Sequence, residues 1–403
     1  MSALEPVLGG HVTTPRGFLA GAVSAGLKSV PGALDLGLLY SERDCAAAGV
    51  FTRNQVRSAP VQVTEARVRA GKLRAVVVNS GCANALTGAA GIRDAETMAA
   101  LAAAKLGLAP AEVAVASTGV TGVALPIEKI RDALPALALA ADGGPSFARA
   151  ILTTDTVPKE VAYSVQTPAG SYAIGGCAKG SGMIHPDMAT MLAYVTTDAA
   201  LAPDLLQAIM RETADATFNM LTVDGDTSCS DTLLVFANGA AGLPIIEAVS
   251  AEEATFRAAL MAVCTHLARE LARDGEGASR LIEVEVSGAA SLDDARRVAR
   301  TVASSALVKT AIAGCDPNWG RILVAAGRSG AVVDQERARL LLQGQLLFDR
   351  GNVVPFDEAK MRSRMDAPEI AIRLDLGLGV VSAKGWGCDL TTDYVHINAD
   401  YTT

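Results

Sequence analysis

Leu73-Arg-Ala-Val-Val-Val-Asn79 is a short apolar run ending on a polar residue. It is followed by Gly91–Leu108, where apolar residues recur at helical spacing, and then by Val113-Ala-Val-Ala-Ser117. A short apolar run bounded by polar punctuation reads as a buried strand, and a 3.6-residue period reads as a helix packed on one face. Strand and helix taken in alternation give an α/β class. The same alternation runs outward from this stretch. Pro126–Ala141 reads as a helix with a proline in its first turn. Lys159–Gln166 and Ser171–Cys177 flank Thr-Pro-Ala-Gly as a hairpin. Thr190–Thr197 and Ser230–Ala237 read as strands, and Pro203–Asn219 and Ala251–Arg273 as helices.

Beyond Asp274-Gly-Glu-Gly277 the texture changes. Arg280–Ser287, Arg321–Ala326, Arg339–Phe348 and Glu369–Leu376 read as strands. In the last of these Ile370, Ile372 and Leu374 alternate with Ala371, Arg373 and Asp375, so one face is expected toward solvent. A boundary near residue 282 divides a main unit, 1–282, from a smaller C-terminal α/β unit, 283–403.

Composition narrows the class of function. Of 403 residues half are hydrophobic and only 4% aromatic, with a formal net charge of −8. Ala, Leu, Gly and Val are the commonest residues, and the small ones among them let backbone layers approach closely. No cluster of lysine and arginine stands out along the chain, which argues against a nucleic-acid partner. No stretch is long and apolar enough to span a membrane, and the opening MSALEPVLGG lacks the basic start and apolar run of a secretory signal. The seven cysteines are scattered and never form CxxC, and the four histidines are widely spread. Neither a disulfide framework nor a metal site is therefore expected, and a cytoplasmic location is.

Four polar, glycine-bearing segments are candidates for chemistry. Gly175–Leu192 (GGCAKGSGMIHPDMATML) resembles a phosphate loop, but Ser181 stands where the lysine belongs. It also fails the nucleophile-elbow pattern, because Lys179 and Met183 flank Ser181 at two residues. His185 has no partner at metal-ligand spacing and reads as structural. Ala116-Ser-Thr-Gly-Val-Thr-Gly122 follows a strand, where a Thr118 hydroxyl and Gly119 N–H would suit a developing oxyanion, or simply a turn. Val223–Thr232 (VDGDTSCSDT) starts like a calcium loop, but Cys229 takes the glycine position and no glutamate closes it, so a structural turn is the better reading. Asp274–Gly277 sets Glu276 between glycines at a helix end.

Together and in this order, these segments resemble the ornithine acetyltransferase (glutamate N-acetyltransferase) family. The similarity is carried by Pro15-Arg-Gly-Phe18, Ala47–Thr52, Val78-Asn-Ser-Gly81, Ser117-Thr-Gly119, Thr153-Thr-Asp155, Lys179–Ile184, Met188-Ala-Thr-Met-Leu192, Val223–Ser228, Asp274–Gly277, Asp316–Arg321 and Asn398–Thr403. The resemblance implies a layered α/β sandwich like that of N-terminal-nucleophile enzymes. It implies self-cleavage between Ala189 and Thr190, giving parts 1–189 and 190–403 in an α2β2 assembly. Thr190 would be the nucleophile, with its freed α-amine as base, since such an amine is partly neutral near physiological pH. Thr118 and Gly119 would stabilise the oxyanion, and Thr153, Lys179, Thr190, Glu276, Asn398 and Thr403 would bind substrate. The implied reaction moves acetyl from N-acetylornithine to glutamate with no cofactor or metal, and leaves open acetyl-CoA as a further donor. An amidase or aminopeptidase of the same fold, with water as acceptor, is the alternative. Asp187, Cys82 and Leu86 depart from the family pattern.

Overall fold

The computed structural model of the chain describes residues 4–71, 73–185 and 191–400. The deciding stretch forms as read. Strands Ala75–Cys82 and Val113–Val120 lie parallel, joined by helix Gly88–Leu106. Val76, Val78, Ala114 and Ala116 enter one core, whereas Ala75, Val77, Val113 and Val115 enter another. Burial on both faces is why neither strand shows polar alternation. Phe18–Val23 and Leu36–Ser41 complete this four-stranded sheet with antiparallel pairings.

A second, six-stranded sheet stacks on the first. Its order is Leu4–Pro6, Lys159–Thr167, Gly170–Lys179, Leu192–Thr197, Thr232–Ala237 and Ala46–Phe51. Leu192 and Tyr194 face the four-stranded sheet across a shared core, while Ala193 and Val195 face the opposite layer. The Tyr194 ring meets Phe147 edge to face at 5.3 Å. The outer face of the four-stranded sheet is covered by helices Ala59–Ala70 and Gly88–Leu106. Helices Pro203–Ala216 and Ala251–Arg273 cover the outer side of the six-stranded sheet. Ser250 caps the longer of them, accepting the Glu253 N–H at 3.0 Å.

Helix Ala251–Arg273 also touches a third sheet, of order Asn352–Val353, Gln345–Asp349, Arg339–Leu342, Glu369–Asp375, Leu281–Ala289 and Val381–Cys388. One continuous apolar core runs from the second sheet through this helix into the third. The chain is thus a layered α/β structure, as its sequence suggests. Ile370, Ile372 and Leu374 are buried and Arg373 is exposed, so the alternation along Glu369–Asp375 has its expected meaning.

Three segments differ from their sequence reading. Arg321–Ala326 is not a strand but part of helix Trp319–Gly327, whose Asn318 side chain accepts the Arg321 N–H at 3.2 Å. A short apolar run cannot by itself separate a buried strand from a buried helix, and the capping asparagine decides here. Arg339–Phe348 is two strands, because Gln343 and Gly344 both take positive φ, 47° and 74°, and reverse the chain. The helix expected over Pro126–Ala141 ends at Ala133, where a 3-10 turn, Leu134–Ala136, contains Pro135.

Candidate functional site

Six residues singled out in the sequence come from five separate stretches and line one cleft of about 320 Å³. Thr118 and Gly119 arrive at the end of strand Val113–Val120, and Lys179 closes strand Gly170–Lys179. Thr153 follows helix Gly144–Ala150, Glu276 sits in the turn after helix Ala251–Arg273, and Asn398 lies on the last helix, Thr392–Asp400. Ala189, Thr190 and Thr403 lie outside the described residues. Met183 lines the cleft, and the Met191 N–H donates to Asp231 Oδ1 at 3.1 Å, next to cleft-lining Ser230.

Lys179 is the hub of one wall. Its side chain is buried, and its ammonium donates to Thr153 Oγ1 at 2.7 Å and to Thr118 Oγ1 at 3.3 Å. Burial depresses its pKa, with nearby Asp155 opposing the shift. A surface ion pair is therefore ruled out for this residue. Because Thr118 Oγ1 accepts from Lys179, its own hydrogen is left to donate into the cleft.

Beneath Lys179 runs a charge network that sequence reasoning missed. Lys159 donates to Asp155 at 2.6 Å and also to Asp274, and all three side chains are at least nine-tenths buried. Asp155 also accepts the Gly180 N–H at 2.6 Å and lies 3.9 Å from Lys179 Nζ. Burial alone would raise the Asp155 pKa, but the two lysines outweigh it and hold the carboxyl below its ordinary value. Asp274 accepts the Thr156 N–H at 3.0 Å. The network thereby ties the Thr153 loop, the Lys179 strand end and the Glu276 turn into one body.

The opposite wall holds Glu276, 9% exposed, whose Oε2 accepts from Asn398 Nδ2 at 2.8 Å. Gly182 lies directly against it, and a Cβ there would fall 2.3 Å from Glu276 Oε2. Gly119 has an equally strict requirement. Its φ is 121°, and a Cβ would meet Gly81 of the neighbouring strand at 2.5 Å. Asp224 sets the Gly182 loop by accepting the Met183 and Ile184 N–H groups at 2.5 and 2.8 Å.

The segment Val223–Thr232, read as a structural turn, is cleft wall through Asp224, Thr227 and Cys229. Tyr394 also faces the cleft, its phenol pKa raised by burial and then by Asp224 and Glu276. Signals for Asp155, Asp224 and Asp274 were present, since each sits inside a quoted motif. Nothing in the sequence marks Lys159 or Tyr394. Among the described residues no group of His, Cys, Asp and Glu is placed to hold a metal ion. No helix among them is long and apolar enough to cross a membrane.

The sequence profile of the ArgJ family matches residues 19–403. The arginine biosynthesis bifunctional protein ArgJ of Dehalococcoides mccartyi is 49% identical over 403 residues, covering 100% of both chains. The protein of the same name from Symbiobacterium thermophilum is 51% identical over 399 residues, covering 98% of this chain and 99% of its own. Among solved structures, the arginine biosynthesis bifunctional protein argJ of Bacillus halodurans is 42% identical with a TM-score of 0.51. That match covers 52% of this chain and 98% of the solved one.

Proposed function

The chain belongs to the ArgJ family of arginine-biosynthesis acyltransferases, and from that premise we propose that it transfers acetyl from N-acetylornithine to glutamate through an acetyl ester on Thr190. The observation that carries the proposal is the convergence of Thr118, Gly119, Thr153, Lys179, Glu276 and Asn398 on one cleft. Met183 lines the same cleft, and Met191, which follows the undescribed residues, donates its N–H to Asp231 beside cleft-lining Ser230.

In the first half-reaction the Thr190 amine takes the proton from its own hydroxyl as Oγ attacks the acetyl carbonyl. Thr118 O–H and Gly119 N–H donate to the oxyanion. Collapse breaks the C–N bond, and the proton passes to the departing ornithine amine. Lys179 offers a cation for the substrate carboxylate and polarises the Thr118 hydroxyl at the same time. Glu276, held by Asn398, offers a carboxylate to an ornithine ammonium. Glutamate then enters, its amine attacks the ester carbonyl, and Thr190 is released.

Such chemistry needs a free α-amine on Thr190, hence cleavage between Ala189 and Thr190. Support comes from the Bacillus halodurans chain, which is 98% covered by only 52% of this one. A chain of about half this length is what a cut before Thr190 would leave. The relatives' name, bifunctional protein, fits acetyl-CoA as a second donor to the same ester.

The test is intact mass under rapid quench. Incubation with N-acetylornithine alone should add one acetyl group to the 190–403 fragment, and glutamate should remove it as acetylglutamate. Thr190→Ala should leave the chain uncut and unacetylated. Acetate release that is indifferent to glutamate would assign the site to hydrolysis. An active enzyme with no acetylated fragment would remove Thr190 from this role.

A further inference from the structure

Lys159 is buried, carries a charge, and lies outside the cleft wall, so the acetyl-transfer scheme gives it nothing to do. It opens strand Lys159–Thr167 opposite Ala178, the residue before Lys179 on the paired strand. Side chains alternate across a strand, so the two lysines leave the sheet on opposite faces. Lys159 follows Ala178 toward helix Ala251–Arg273 and its terminal Asp274. Lys179 points the other way, to Thr118 of the four-stranded sheet. Asp155 reaches past the sheet edge to both. A buried lysine persists only when it is paired, and Lys159 has two carboxylates, Asp155 and Asp274.

Asp155 is divided unequally between the two lysines. Its Oδ1 accepts from Lys159 Nζ and from the Gly180 N–H, each at 2.6 Å. Its Oδ2 accepts the Thr153 N–H at 3.1 Å and stops 3.9 Å short of Lys179 Nζ, beyond hydrogen-bond reach. Lys179 donates instead to two neutral hydroxyls, Thr153 at 2.7 Å and Thr118 at 3.3 Å. Its charge is thereby presented at the cleft and is not spent on Asp155. A shift of about 1 Å would bring Oδ2 to the roughly 2.7–2.9 Å of a charge-assisted bond, and the ammonium would turn to Asp155. The cation that holds Asp155 back is Lys159.

We propose that Lys159 is a positioning residue for substrate binding: by binding Asp155 it keeps Lys179 free for the α-carboxylate that N-acetylornithine and glutamate share. The inference rests on the assignment of Lys179 to that carboxylate in the acetyl-transfer reading, and adds to it a residue that touches no substrate. Both half-reactions bind the same group, so both depend on Lys159. The dependence lies in KM, because a carboxylate remote from the reacting atoms is held alike in ground and transition states.

The test is steady-state kinetics with two donors, N-acetylornithine and N-acetylputrescine, which is the same molecule without the carboxylate. Lys159→Met should raise KM for N-acetylornithine and for glutamate about tenfold or more, the usual loss for one hydrogen bond to a charged group. Its kcat should hold, and so should its KM for N-acetylputrescine. Lys159→Met/Asp155→Asn removes one charge of each sign, which a protein interior tolerates better than the loss of one partner. With the Asp155 charge gone, this double variant should return KM for N-acetylornithine close to the wild-type value. It decides alone where the single variant does not fold. Equal KM rises for both donors, a loss confined to kcat, or a double variant whose KM for N-acetylornithine stays raised would overturn the proposal and leave Lys159 a structural residue. A wild-type enzyme with the same KM for both donors would instead overturn the assignment of Lys179 to the carboxylate, and the proposal with it.

Discussion

Gly182→Ala should raise KM for N-acetylornithine about tenfold while leaving the fold intact. The added methyl would lie 2.3, 2.4 and 2.5 Å from Oε2, Cδ and Oε1 of Glu276. Ordinary contact begins at 3.4 Å, so the carboxylate must retreat by about 1 Å. Gly182 has no positive φ, so alanine fits its backbone. If Glu276 holds a substrate ammonium at about 3 Å, a 1 Å retreat reduces the attraction from about 5.5 to about 4 kcal/mol at an effective dielectric of about 20. The difference, about 1.4 kcal/mol, corresponds to roughly tenfold in affinity. Steady-state kinetics in both half-reactions is the assay. KM for the donor should rise more than KM for glutamate, which lacks the second ammonium. Glu276→Gln removes the charge without steric pressure and should shift the same constant in the same direction. Unchanged donor KM in both variants would refute the assignment of Glu276 to an ammonium, and a thermal melt would expose simple misfolding of Gly182→Ala.

Thr118→Ala should fold normally and lower kcat by about 10²–10³, the usual loss for one oxyanion donor; stopped assays of acetylglutamate formation measure it. Asp155→Asn strips the shared counter-charge from two buried lysines and should cost about 3–5 kcal/mol in urea unfolding. Glu160 is half-buried, its Oε1 makes no hydrogen bond among the described residues, and burial raises its pKa to about 7 despite Arg149. The folded state therefore holds that proton over pH 4.5–7 where the unfolded state has lost it, so this residue makes stability fall as pH rises through that window. Glu160→Gln should accordingly raise the melting temperature at pH 8 and leave it nearly unchanged at pH 4.5.

Much of the architecture was legible because its local signals agreed. Helix Ala251–Arg273 has the bounds read from its sequence, since Ser250 caps it and a long apolar stripe, Phe256 to Leu271, fixes its buried face. Strand Thr232–Ala237 announces itself by the unbroken apolar run from Leu233 onward, which burial on both faces permits. Where one local signal stood alone it misled. Arg321–Ala326 is apolar enough for a strand, and only the Asn318 cap and its surroundings make it helical.

The site divides in the same way. The family resemblance, carried by short motifs in a fixed order along the chain, pointed to Thr118, Gly119, Thr153, Lys179, Glu276 and Asn398. What the sequence could not contain is their convergence, nor the burial of Lys159 between Asp155 and Asp274. In sequence those charges resemble any solvated surface. Packing of helix Ala251–Arg273 on strand Lys159–Thr167 removes them from water, and a buried charge then persists only with its partner in place. Pattern along the chain is set by the period of helix and strand, and the sequence carries it. Electrostatics and close approach depend on distances between segments far apart in sequence, and those only the tertiary structure decides.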